Sequence, residues 1–207
     1  MGRAIPHSAA SPAPAGLDFT YRMRLLCGDV AARLPEFRHV DLELVALRIC
    51  QTRSGAMYGV HASLTPLRFQ HGERTQTRRG RTWTIQSVRD ADGREMLYLL
   101  SFYLPRFCNQ PLAEKLATVM HELWHVSPSF DGDVRRLPGR CFAHGHSEES
   151  FHGEMRALAN TWLSLSPPRE LYAFLECDFQ ALRSRFRTVF GTKIPTPKLI
   201  LVPGSRP

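Results

Sequence analysis

The segment Leu112–His125 reads LAEKLATVMHELWH, and the fold prediction starts from it. Its apolar residues recur at the three- and four-residue spacing of an amphipathic helix, and Pro111 stands at its first turn. Asn109 is expected to cap this helix, and Pro128 is expected to end it near Val126. The apolar face predicted to pack on the core consists of Leu112, Leu116, Val119 and Leu123.

The same helix carries an H-E-x-x-H pattern, His121-Glu122-Leu123-Trp124-His125. At about 100° per residue, His121 and His125 lie on one face, where two imidazoles can share one tetrahedral zinc ion. Glu122 lies about 60° from His125, close enough to reach a metal-bound water without ligating the metal. The pattern therefore predicts two zinc ligands with a general base between them.

A catalytic zinc site needs a third protein ligand and an open position. Five of the nine histidines fall between His121 and His152, and the pair in His144-Gly145-His146 precedes the next predicted helix. A ligand at that point would approach the first helix from across a cleft. His144 is favoured over His146, with His152 and Asp131 as further candidates.

Other polar residues have predicted roles that the sequence leaves open. Arg140, His146 or Tyr103 would supply the group that stabilises an oxyanion. Asp131 and Asp133 either orient ligand histidines or form a turn.

The rest of the chain predicts an α+β fold: a small, mostly antiparallel sheet packed against the H-E-x-x-H helix, with additional C-terminal helices. Asp90-Ala91-Asp92-Gly93 is a hairpin signal, and the apolar run Met96–Leu104 predicts a central strand. Pro66 marks its strand as an edge or a bulge. The predicted elements are helix Phe19–Leu34, strands Leu42–Ile49 and Tyr58–Phe69, hairpin arms Arg81–Arg89 and Glu95–Leu104, a helix capped by Ser147, and helix Glu170–Phe190.

We predict three regions along the 207 residues. Residues 1–16 are rich in Ala, Pro and Ser and are expected to be disordered. Residues 17–191 form the folded domain, and residues 192–207 form a Pro-rich tail. No apolar run is long enough to cross a membrane, and five scattered cysteines favour a reducing, cytoplasmic compartment.

The chain is basic, with a net charge of +8, and 24 of its 27 basic residues are arginines. Arg78, Arg79 and Arg81 form the densest cluster. Such a cluster predicts weak contact with nucleic acid, but the favoured interpretation is a solvated loop, because no interleaved aromatic residues or known binding module accompany it.

The block Leu116–Leu163 resembles a family of metallopeptidases assigned by motif in phage and bacterial genomes. The matching residues are the H-E-x-x-H segment, Phe130–Arg136, Gly139-Arg140-Cys141 and His144-Gly145-His146-Ser147. The segments Pro66-Leu67-Arg68-Phe69 and Phe102–Phe107 are also similar, so that the resemblance covers most of residues 40–165. It implies a zincin-like fold and protease activity.

A weaker similarity is to SprT-like proteases, which also place H-E-x-x-H before a His-Gly pair that supplies the third ligand. That ligand would again be His144. This chain lacks their cysteine zinc ribbon, and its gap between His-Gly and the aromatic Phe151 is longer.

The favoured hypothesis is a zinc-dependent peptidase acting on a protein or peptide. Zn²⁺ is held by His121, His125 and His144, and Glu122 takes a proton from the bound water and passes it to the leaving amine. Two alternatives remain: a zincin-like binding module without activity, and a SprT-like DNA-associated protease.

Overall fold

The computed structural model describes residues 16–52, 58–136 and 148–203. Within these ranges the chain is a mixed α/β structure with small sheets, as predicted. The helices are α1 (Phe19–Arg33), α2 (Leu112–Trp124), α3 (Glu148–Ser164) and α4 (Phe179–Phe186). The strands are β1 (Leu17–Asp18), β2 (Val45–Gln51), β3 (Ala62–Pro66), β4 (Thr75–Arg78), β5 (Arg81–Ile85), β6 (Tyr98–Leu104), β7 (Val189–Phe190) and β8 (Leu199–Leu201).

The central sheet has the strand order β2-β6-β3. Strand β6 is parallel to β2 and antiparallel to β3, so that this sheet is mixed rather than mostly antiparallel. The residues of β6 are buried almost throughout, which confirms the prediction of a strand covered on both faces. Strand β3 lies at the edge of the described sheet and ends at Pro66, where a missing N–H is tolerated.

The predicted hairpin around Gly93 is wrong in its pairing. Gly93 does adopt the positive φ of 81° that a turn needs, but the two arms meet in a single bridge between Arg89 and Glu95. Strand β5 instead pairs with β4 through a turn at Arg79 and Gly80, which both have positive φ. Strand β6 has β2 on one side and β3 on the other, so neither of its edges is left for β5.

Helix α1 confirms the first predicted helix, and it ends at Arg33 because Pro35 follows shortly after. Asp18 caps its N-terminus by accepting a hydrogen bond from the Tyr21 amide. The core joins α1 to the central sheet, α2 and α3. At its centre the Phe19 ring makes edge contacts, with centroids at 5.8–6.0 Å, to the rings of Phe102, Phe107 and Phe174.

The predicted helix Glu170–Phe190 is wrong as one element. The chain forms two short 3₁₀ turns, then α4, and then β7, which pairs with β1. Buried Lys115 donates hydrogen bonds to the carbonyls of Leu175 and Cys177, both at 2.7 Å. In a continuous helix these carbonyls would instead accept hydrogen bonds from backbone amides one turn further along. Asp178 then caps α4 by accepting from the Ala181 amide.

Residues 192–203 of the predicted tail form part of the folded structure. Strand β8 pairs antiparallel with β5, and the Arg48 guanidinium donates to the Ile194 carbonyl at 2.7 Å. The expectation for residues 1–15 and the proposed cap Ser147 fall outside the described residues. In the described part of the chain, no helix is long and apolar enough to cross a membrane.

Candidate metal centre

Helix α2 presents His121 from its last turn and His125 as its C-terminal cap. The centroids of the two imidazole rings lie 4.7 Å apart, and the ring planes meet at 77°. Two imidazoles that share a tetrahedral zinc ion at about 2.1 Å place their ring centres about 5 Å apart. The structure therefore brings the two predicted ligands to a spacing that suits one ion.

The opposite face of α2 holds the pair in place. Leu116, Val119 and Leu123 on that face are completely buried, as the apolar periodicity predicted. The expected N-cap is wrong, because the helix begins directly after Pro111, and Asn109 instead accepts a hydrogen bond from the Phe179 amide at 3.2 Å. The start of the helix is thus fixed by its contacts with the C-terminal elements.

A loop closes on the end of α2, two residues before the predicted end at Val126. Val126 forms a bridge with Val134, and the Arg135 amide donates to the His125 carbonyl at 2.8 Å. The Arg135 guanidinium also stacks over the Trp124 ring at 4.1 Å and donates to the Trp124 carbonyl. These contacts fix the backbone that carries His125.

Glu122 lies between the two histidines in sequence and is buried, with 6% of its surface exposed. Its Oε2 accepts a hydrogen bond of 2.7 Å from the backbone amide of Leu64 on β3. Burial raises the pKa of the Glu122 carboxyl to about 7, while the Leu64 amide acts in the opposite direction. The carboxyl group therefore sits between the metal-ligand helix and an edge strand.

The donor chemistry fits zinc, since neutral imidazoles are among its usual ligands. Among residues 16–52, 58–136 and 148–203, no group of three or more His, Cys, Asp or Glu side chains is arranged to hold a metal. A complete site would thus need a donor from outside the described residues, and the zinc assignment stays a prediction.

Two of the alternative ligands are occupied elsewhere in the structure. His152 Nε2 lies 2.9 Å from the Glu114 carboxylate, two turns of α2 before His121. Asp131 accepts hydrogen bonds from the Ser129 hydroxyl and the Asp133 amide. The geometry therefore favours neither residue as the third ligand.

The interpretation of Asp131 and Asp133 as turn residues agrees with the structure. Gly132, at φ 90°, lies between them, and its amide donates to the Tyr98 hydroxyl at 3.0 Å. The Asp133 carboxylate pairs with Arg136 at 2.9 Å. Burial acts to raise the pKa of the Asp131 carboxyl, but the hydrogen bonds that it accepts from the Asp133 amide and the Ser129 hydroxyl outweigh this effect and lower the pKa.

The favoured third ligand, His144, and the candidates His146 and Arg140 fall in residues 137–147, outside the described ranges. Both flanks of this segment contact the histidine pair. On one side the Arg135 amide bonds the His125 carbonyl, and on the other the Phe151 ring lies 5.1 Å from the ring of His121.

Tyr103 is wrong as an oxyanion stabiliser. Side chains alternate along β6, and Leu100 and Phe102 point to the core that includes α2. Tyr103 therefore points to the other face, where its hydroxyl lies 3.3 Å from the Ser63 hydroxyl. The sheet separates this hydroxyl from Glu122.

Two contacts of the site could not be found by sequence reasoning. The Leu64 amide is a backbone group, and no residue type signals its role at Glu122. Phe151 is a buried core residue of α3, but its ring also contacts the rings of His121 and His125, at 5.1 and 6.3 Å. Its aromatic side chain was the available signal, and periodicity assigned it to the core.

Comparison with family models, curated proteins and solved structures yields no significant match for this chain.

Proposed function

We propose that this protein is a zinc-dependent peptide hydrolase. His121, His125 and His144 would hold the ion, and Glu122 would act as the general base. The observation that carries the proposal is the pair of facing imidazoles on α2, with a buried glutamate directly beside them in sequence. The resemblance of residues 116–163 to motif-assigned metallopeptidases supports the same activity, and a zincin-like fold is part of the proposal.

When bound, zinc polarises a scissile carbonyl and lowers the pKa of a water toward about 7. The Glu122 carboxylate would accept a proton from the attacking water and pass it to the leaving amine. Its hydrogen bond to the Leu64 amide holds the carboxylate on the β3 side of the helix. The base is thus positioned before a substrate arrives.

The edge strand supports a peptide as the substrate. Every second residue of β3 directs its backbone N–H and C=O groups toward β6. Leu67, one residue beyond the strand, continues this pattern, and its amide donates to the Leu97 carbonyl at 3.0 Å. The intervening residues of β3 direct theirs to the opposite edge, which no other described strand pairs with and where the Leu64 amide donates to Glu122. A peptide that adds to this edge as an extended strand would run beside the general base.

His144 is the proposed third ligand because of where its segment is attached. Arg135 and Phe151, on either side of residues 137–147, both contact the histidine pair. His152, by contrast, is paired with Glu114. The contacts of Arg135 and Phe151 hold the chain on both sides of residues 137–147 close to the histidine pair. They therefore favour a third metal ligand from that segment, as the His-Gly-His pattern predicts.

Metal analysis of purified variants tests the ligand set. We expect one zinc per chain in the wild type and loss of zinc in His121→Ala, His125→Ala and His144→Ala. His152→Ala is the matched control and should keep its zinc. Full zinc content in His144→Ala, with loss in a His146→Ala variant, would transfer the third position to His146.

Glu122→Gln tests the base separately from the metal. This variant should retain zinc but lose cleavage of an unfolded protein by about 100-fold or more, because an amide cannot accept the proton. Unchanged cleavage would remove Glu122 from its role.

The burial of Glu122 also favours a second candidate, a zinc-binding module without hydrolytic activity. A carboxylate with 6% exposure that bonds a backbone amide can serve to join α2 to β3. In that case the wild type would bind zinc and cleave no unfolded protein, and Glu122→Gln would lower the unfolding midpoint.

A further inference from the structure

The second small sheet carries a concentrated positive surface. Its strand order is β4-β5-β8, and β4 and β5 are joined by the tight turn at Arg79 and Gly80. The cluster expected to be a solvated loop is therefore a β-hairpin with a defined shape. Arg78, Arg79 and Arg81 are all exposed on it.

The strand register places aromatic and apolar side chains on the same face as two of these arginines. Arg78 is paired with Arg81, and Trp83 with Leu201. Because side chains alternate along a strand, Arg81 and Trp83 share a face. Trp83 therefore lies on the same face as the cluster, although no aromatic residue is interleaved between the three arginines in sequence.

These residues line a groove of about 680 Å³. We call it the arginine groove, and it is lined by Arg78, Arg79, Arg81, Trp83 and Leu199. Leu199 is 55% exposed. The groove therefore combines three cationic groups with an aromatic ring and an exposed apolar side chain.

The positive charge in the groove is not compensated by the described protein. Among the described residues, Arg78, Arg79 and Arg81 form no ion pair, whereas Arg68 and Arg74 share Glu95. Arg78 and Arg81 are directly opposite one another, and like charges in that position destabilise a sheet. An anionic ligand would remove this repulsion.

From this arrangement we propose that the arginine groove binds single-stranded nucleic acid. Guanidinium groups bond phosphate oxygens in a bidentate manner, and an indole ring offers a stacking surface to any unpaired base. A duplex would bring phosphates to the arginines but no free base to Trp83. A membrane would require apolar residues at the hairpin tip, where Arg79 and Gly80 stand.

Fluorescence anisotropy of the full chain with a labelled oligothymidylate of about 20 nucleotides tests the proposal. The triple variant Arg78→Ala/Arg79→Ala/Arg81→Ala should weaken binding at least tenfold. It should also reduce the slope of log affinity against log salt by about 2, since each lost phosphate contact contributes about 0.7. The charge-matched control Arg38→Ala/Arg183→Ala/Arg185→Ala, at three other exposed arginines, should change affinity less than about threefold.

Trp83→Leu separates stacking from charge. It should weaken binding about tenfold and leave the salt slope unchanged, because no phosphate contact is removed. If the triple alanine variant does not fold, Arg78→Lys/Arg79→Lys/Arg81→Lys keeps the charge and should weaken binding severalfold through loss of the bidentate geometry.

Several outcomes would overturn the proposal. These are no binding to the oligonucleotide, equal loss of binding in the control triple, and duplex binding as tight as single-strand binding. Binding to phosphatidylserine vesicles without binding to the oligonucleotide would assign the surface to a membrane instead. None of these results bears on the zinc site, which is tested separately by metal content.

Discussion

Lys115 shows how one charged side chain directs the course of the surrounding chain. It is 2% exposed and donates to the carbonyls of Leu175 and Cys177, both at 2.7 Å. Burial lowers the pKa of its ammonium group, since the charged form loses its hydration. A lysine among apolar residues on a helix gives no sign in the sequence of which carbonyls it will meet.

Lys115→Met should destabilise the protein by about 2–4 kcal/mol, because two buried carbonyls lose their donor. Urea unfolding of the wild type and the variant measures the difference. Lys198→Met, at an exposed lysine, is the control and should change stability by less than about 0.5 kcal/mol. Equal stability of the two variants would show that Lys115 contributes no net hydrogen bonding.

At the scale of elements, the loop after α2 positions His125. Its chain returns through the bridge between Val126 and Val134, and the Tyr98 hydroxyl joins it to β6 by donating to the Asp133 carbonyl at 2.9 Å. Gly132 makes this return possible, since its φ of 90° is disfavoured for residues with a Cβ atom.

Gly132→Ala should destabilise the protein by about 1–3 kcal/mol, because the conformation is strained and the new Cβ would lie 2.6 Å from Arg68 Cγ. Gly153→Ala is the matched control within α3, where a Cβ meets nothing within 4 Å. That substitution should stabilise by about 0.5–1 kcal/mol through helix propensity. Thermal unfolding of both variants measures the two effects, and the same sign for both would contradict the assignment.

At the scale of the whole molecule, the proposed zinc ion would join parts of the chain that are distant in sequence. Its ligands would come from the end of α2 and from residues 137–147, whose flanking residues Arg135 and Phe151 already contact the histidine pair. A ligand that binds the folded state and not the unfolded chain raises stability according to its concentration relative to Kd.

Added zinc should therefore raise the Tm of the metal-free wild type, by an amount that increases with zinc concentration. Chelation with EDTA should reverse the increase. His121→Ala should show no change in Tm with zinc, whereas His71→Ala, at an exposed histidine on a separate turn, should respond as the wild type does. A Tm independent of zinc in the wild type would contradict the proposed site.

Local sequence patterns were sufficient to predict α1, α2, α3 and the buried strand β6. Each of these has a periodic apolar face, or a continuous apolar run, that specifies how it is buried. The adjacency of His121 and His125 was predictable for the same reason, since helical geometry places residues i and i+4 together. Glu122 beside them followed from that spacing.

The other strand pairings, the C-terminal elements and the contacts of Glu122 were decided by residues that are distant in sequence. Strand β5 left its predicted partner because β6 was already paired on both edges, and the predicted last helix was interrupted where Lys115 bonds the Cys177 carbonyl. Tyr103 faces away from Glu122, and the Leu64 amide faces toward it, because of how β3 and α2 pack around the sheet. Pairing partners, strand faces and backbone donors depend on which surfaces meet in three dimensions, and short-range periodicity carries no record of that choice.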